Sequence, residues 1–129
     1  MRTIRIVAVW ALQVLVGLSF VMLGVMKFRD PTWVRSFARW GYPDGFYMVV
    51  GALEAAGGMA VLVPAIASYG ALLLMSVMAG ALLTHVFHGE TQRFMVPAVY
   101  LLFCGGVAWL RWRSAWRPRP VPARPPAVI

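Results

Sequence analysis

The chain has 129 residues, enough for one domain. Hydrophobic residues make up 61% and charged residues 12% of it, against about 45–50% and about 25% in an ordinary soluble domain, which argues against a soluble fold. The net charge of +8 does not point to nucleic acid, because the basic residues flank the apolar runs instead of gathering on one soluble face.

The first apolar run covers about residues 4–26, the length a bilayer needs. Arg2 and Arg5 imitate the start of a signal peptide, but the run is too long for one and no clean cleavage site follows. Next comes Asp30-Pro31, an N-cap with a proline in the first turn, and later Gly41 as a stop. Between them Trp33, Val34, Phe37 and Trp40 share one helical face, and Arg35, Ser36 and Arg39 the other. This pattern predicts a short interfacial helix over about 31–40, lying flat and roofing whatever is below it. Further spans are expected at about 46–63, 69–87 and 94–110. Short connections make successive helices antiparallel neighbours. The expected fold is therefore all-α, an integral membrane four-helix bundle over residues 1–112. Residues 113–129 form a basic, proline-rich tail, expected to be disordered.

Four spans put both termini on one side. Arg2, Arg5, Arg111, Arg113, Arg117, Arg119 and Arg124 are seven charges there; Lys27, Arg29, Arg35, Arg39 and Arg93 are five on the other, beside Asp30, Asp44 and Glu90. The bias favours cytoplasmic termini.

Polar residues inside apolar spans are the candidate site. Gln13, Gly17, Phe20, Gly24 and Lys27 fall on one face of the first span, and that face should point into the bundle. In the second span Gly51, Ala55 and Gly58, with Gly57 adjacent, permit close backbone approach beside Glu54. The third span carries Ser76, Gly80 and Thr84, expected as a packing seam, next to His85. Glu54 lies roughly 12 Å and His85 roughly 5 Å below the same end of the bundle, and Lys27 lies near it. Lys27, Glu54 and His85 are thus expected to meet in one pocket, with Gly24, Tyr47 and Tyr100 lining it and Trp33 and Trp40 as a lid. His88 and Glu90 are expected at the solvated interface.

A neutral imidazole and a protonated carboxyl can hydrogen-bond the two carbonyls of a quinone and pass protons. In that reading His85 donates or accepts the proton, Glu54 relays it, Lys27 holds the Glu54 charge, and a quinone is the expected cofactor. A metal bound by Glu54, His85, His88 and Glu90 is the alternative use of the same residues. The only cysteine, Cys104, cannot form an internal pair.

The motifs Gly24-Val-Met-Lys-Phe28, Gly41-Tyr-Pro43, Gly51-Ala-Leu-Glu-Ala-Ala-Gly-Gly58, Leu62-Val-Pro64 and Met78-Ala-Gly-Ala-Leu-Leu-Thr-His85 with Gly89-Glu90 follow one another in order. Together they resemble the DoxX family, its DoxX-like branch, from roughly Val16 to Trp109. The resemblance implies a four-helix integral membrane protein. The family takes its name from a subunit associated with a thiosulfate:quinone oxidoreductase; other members are linked to thiol-stress defence, and distant eukaryotic relatives are membrane chaperones and cargo receptors. Lys27, Glu54 and His85 match polar positions of the family pattern.

Three functions are therefore expected in order. First is a small subunit of quinone- or thiol-linked redox metabolism in a bacterial inner membrane. Second is a non-catalytic chaperone or scaffold in which the polar trio only sets helix packing. Third is a small-molecule carrier built as an oligomer. The partners expected are the lipid bilayer and either further copies of the chain or another membrane protein.

Overall fold

The computed structural model describes residues 1–123. It holds five α-helices and, among the described residues, no strand: α1 (Arg2–Arg29), α2 (Pro31–Arg39), α3 (Phe46–Leu62), α4 (Ala67–Phe87) and α5 (Met95–Arg111). Single 3-10 turns at Thr91–Arg93 and Trp112–Ser114 flank α5. The stretches Arg2–Arg29, Ala67–Phe87 and Thr91–Ser114 are long and apolar enough to cross a membrane, whereas α3 is apolar but has 17 residues.

Local chemistry sets the breaks. α1 and α3 each stop one residue before a proline, at Asp30 (φ −99°, ψ 113°) and Val63 (φ −100°, ψ 112°), because the following ring pushes the backbone out of the helical region. Asp30 then caps α2, its carboxylate accepting the Thr32 N–H at 2.9 Å. That bond and the Thr32 side chain hold the Asp30 carboxyl below its ordinary range. α2 and α4 end in Schellman caps. Gly41 (φ 82°) and Gly89 (φ 67°) supply the left-handed residue. Tyr42 N–H donates to the Phe37 carbonyl, and Glu90 N–H to the His85 carbonyl.

α1, α3, α4 and α5 pack in chain order, each antiparallel to the next, and glycines let the backbones touch. A Cβ added to Gly24 would sit 2.5 Å from the Gly51 carbonyl, and one added to Gly58 would sit 2.7 Å from the Gly17 carbonyl. α1 and α3 therefore meet backbone to backbone along two turns of each. The expected inward face of α1 is buried: Gln13, Gly17, Phe20, Gly24 and Lys27. α3 meets α4 near their connection, where a Cβ on Gly70 would lie 2.8 Å from the Ala60 Cβ. α4 and α5 close over Ala71, Leu74, Met78, Cys104 and Val107, and the Ser68 hydroxyl donates to the Ala108 carbonyl at 3.0 Å.

Three details differ from the reading of the sequence. Ser76 and Gly80 are exposed, and a Cβ on Gly80 would meet nothing within 4 Å; the close glycine contact of α4 with α3 is made by Gly70, near their connection. In α2 it is Ser36 that turns inward with Phe37, while Val34 is exposed. The tail does not leave the bundle at residue 113: Trp116 N–H donates to the Ala65 carbonyl at 2.7 Å, and Tyr69 Oη donates to the Trp116 carbonyl at 2.8 Å. Arg124 and the end of the tail lie outside the described residues.

Candidate functional site

At the end of the bundle opposite the termini, α2 lies across the helices and roofs a cavity of about 650 Å³. Its roof is aromatic. Phe37 is buried at the centre of a cluster, with Trp40 at 5.3 Å, Tyr42 at 5.5 Å, Phe46 at 6.0 Å and Trp33 at 6.4 Å between ring centroids. Aromatic pairs in tilted and edge-on contact hold such a roof without any polar pairing. The Schellman cap explains one of these contacts, since it sets Tyr42 against Phe37.

Lys27, Glu54 and His85 all stand on the cavity wall, as does Tyr100. Lys27 Nζ donates to Glu54 Oε2 at 2.6 Å, with the two side chains only 6% and 3% exposed. The Gly24–Gly51 contact, one turn below Lys27 and one turn above Glu54, brings them into reach. The Lys27 ammonium also sits 4.1 Å from the centre of the Trp33 ring, a cation–π contact made by the roof. His85 does not join this pair. Its Nδ1 is 2.8 Å from Glu90 Oε2, and its ring meets Trp40 edge to face at 5.4 Å.

Glu90 is therefore not the solvated bystander expected from its place after α4. It accepts from His85, from Arg39 Nη2 at 2.8 Å and from Trp40 Nε1 at 3.3 Å. The His85 hydrogen bond first, then the Trp40 bond and the Arg39 and Arg93 charges, hold its carboxyl below the usual range against a smaller effect of burial. Two of its partners belong to the end of α2, so Glu90 latches the roof to α4. The signal was present in the sequence: a glycine just past the helix makes the third residue from the helix end and the third residue after it neighbours, and these are His85 and Glu90. Tyr42 Oη and Thr84 Oγ1 make a second polar contact from the roof segment to α4.

Two expected wall residues are not on the wall. Tyr47 packs on Phe37, ring centroids 6.4 Å apart. Gly24 is wedged against Gly51 and Ala55, so its role is close approach. The alternative metal set does not converge either. Glu54 is committed to Lys27, Glu90 to His85, and the exposed His88 places Nδ1 2.8 Å from the Thr84 carbonyl. Among the described residues no three His, Cys, Asp or Glu side chains gather as a ligand group.

A second polar contact lies at the far end of the bundle. Arg111 Nε donates to Gln13 Oε1 at 2.7 Å, and the Arg111 guanidinium lies 4.8 Å from the Trp10 ring. Gln13 Nε2 and Arg111 Nη2 are buried without a partner among the described residues. Neither Gln13 nor Arg111 lines the roofed cavity.

The cavity thus offers an apolar volume, an ammonium and a carboxylate paired on its wall, and an imidazole oriented by a carboxylate. Residues 11–107 match the DoxX-like family. No curated protein and no solved structure matches the chain.

Proposed function

The chain belongs to the DoxX-like family, and on that footing we propose that it is a four-span membrane protein whose roofed cavity binds a quinone or a lipophile of like build. The carrying observation is the cavity itself: about 650 Å³ of mostly apolar space with Lys27, Glu54 and His85 on one wall system. That volume lies within the range of pockets that bury small molecules, and few convergent polar groups in apolar walls are the usual composition of such sites.

α3 is short, yet it has to cross. α1 ends beneath the roof, and α4 begins at the opposite end, where the Ala65 carbonyl meets Trp116. Only α3 connects those two levels, and its 17 residues reach about 25 Å. With four crossings the termini share a side, and the basic bias puts them in the cytoplasm and α2 on the outer surface of a bacterial inner membrane.

The chemistry follows from the donors. An ammonium has three N–H groups; Lys27 uses one on Glu54 and can turn another toward a carbonyl in the cavity. With Nδ1–H given to Glu90, neutral His85 keeps Nε2 as an acceptor, and protonated His85 presents Nε2–H as a donor. Carboxylate-oriented imidazoles hold one tautomer in this way. His85 can pass a proton from Nε2 to a ligand oxygen or take one from a ligand hydroxyl, with Glu54 as relay. The single cysteine, buried in α5, gives the chain no dithiol of its own.

The test uses the tryptophans of the roof. Quinone added to the purified protein should quench them saturably, and His85→Ala or Glu54→Gln should weaken that binding by roughly tenfold. Quenching that never saturates, or the same affinity in all three proteins, would sink the reading. The scaffold alternative draws on a different observation, the mutual satisfaction of Lys27 and Glu54. It expects Glu54→Gln to lower stability while quinone binding is absent from every variant.

A further inference from the structure

The cavity has two mouths of unlike chemistry. Where α5 begins, Gln92, Arg93 and Val96 are exposed and on its wall. That mouth carries an amide and a guanidinium beside one valine and lies near the interfacial roof. The other mouth is on the side of the bundle. Leu53 of α3 and Leu73, Ser76 and Gly80 of α4 line the cavity and are also exposed. A residue that meets both the cavity and the surroundings marks an opening, so the cavity passes outward between α3 and α4. The cause is in the glycines. Gly57 and Gly70 bring α3 and α4 together near their connection. Toward the roof Gly80 makes no such close approach and offers no side chain to fill the gap, with nothing within 4 Å of its would-be Cβ.

We propose that the ligand is a chain-bearing amphiphile, its polar head held by Lys27, Glu54 and His85 and its single apolar tail running out between α3 and α4 into the bilayer. This rests on the lipophile-binding reading above and adds the ligand's build, orientation and route. The polar end of the cavity is the Lys27–Glu54 pair and the Glu90-oriented imidazole. The cleft is flanked by leucines and has a serine whose hydroxyl is turned back onto the Leu72 carbonyl at 3.1 Å, which hides its polarity. A head-only ligand would leave that cleft to lipid tails. A tail is not held there by the hydrophobic effect, since lipid is as apolar as leucine; it is held by the shape of the cleft. Gly80 is accordingly the residue that admits the tail.

The experiment uses the full chain in lipid nanodiscs and two benzoquinones, one with a single methyl group in place of the chain and one with a decyl chain ending in a photoreactive diazirine. Gly80→Trp should weaken the decyl compound by roughly tenfold and the methyl compound by less than about twofold. Leu83→Trp, an exposed position of α4 away from the cavity, should change neither. Irradiation should label α3 and α4 on either side of the cleft. Saturable binding with labels on α1, α5 or the roof, or equal effects of Gly80→Trp on both compounds, would overturn the route while leaving the pocket. Failure of both quinones to bind wild type would overturn the pocket and the route together. Gly80→Leu, a smaller block, gives the same contrast should the tryptophan variant not fold.

Discussion

Glu54→Gln and Lys27→Met break the same ion pair from its two sides, and the structure makes the two losses unequal. The pair is 2.6 Å long and almost wholly shielded, at 6% and 3% exposure, so solvent cannot replace either partner. Removing one member of a buried pair costs about 3–5 kcal/mol, because the survivor is an unpaired buried charge. The survivor can escape by changing its protonation, which caps the loss. At pH 7 neutralising an ordinary lysine costs about 4.6 kcal/mol and an ordinary glutamate about 3.7 kcal/mol. Glu54→Gln should therefore destabilise more than Lys27→Met. The double variant leaves no charge and should recover at least about 2 kcal/mol relative to the sum of the single losses. Reversible unfolding in mixed detergent micelles, followed by circular dichroism at pH 7, measures all four proteins. Additive losses would refute the picture of a shielded pair.

Three further outcomes are expected. Gly24→Ala and Gly58→Ala should each cost about 1–3 kcal/mol in the same unfolding assay, since the new methyl meets backbone, whereas Gly80→Ala should stay within about 0.5 kcal/mol. The roof latch should open in acid. The Glu90 carboxyl is held low, so its contribution is complete above the ordinary carboxylate range and is lost as pH falls through the lowered value. Acrylamide quenching of Trp40, taken as the difference from Trp40→Phe, should rise only in that acid window, and in Glu90→Gln it should be high at every pH. At the far end, Gln13→Leu removes the acceptor of a charged donor and should cost about 1.5–3 kcal/mol, with Arg111→Leu in the same chain restoring much of it.

How far the site could be read from the sequence depended on the kind of signal. The inward stripe of α1 was legible because a period of three and four collects Gln13, Gly17, Gly24 and Lys27 on one side, whatever the neighbour is. The Lys27–Glu54 pairing was legible as a depth match, since rise per residue places both near one end. Glu90 was misread because charge at a helix end looks solvated, and only the cap geometry turns it back onto His85. Gly80 was misread because a small residue in a span has two opposite uses, close packing or an open gap, and the sequence spacing is the same for both.

The sequence by itself determined that the chain is helical, apolar enough for a membrane, broken at Pro31 and Pro64, and polar at Lys27, Glu54 and His85. These depend on local propensity, on composition and on periodicity, all of which belong to a single segment. The tertiary structure decided which glycines close an interface and which leave a cleft, and that His85 answers to Glu90 instead of Glu54. It also opened a cavity of about 650 Å³ beneath the roof that the sequence foretold. Those outcomes depend on where two helices approach or diverge, and the distance between helices belongs to no single segment of the chain.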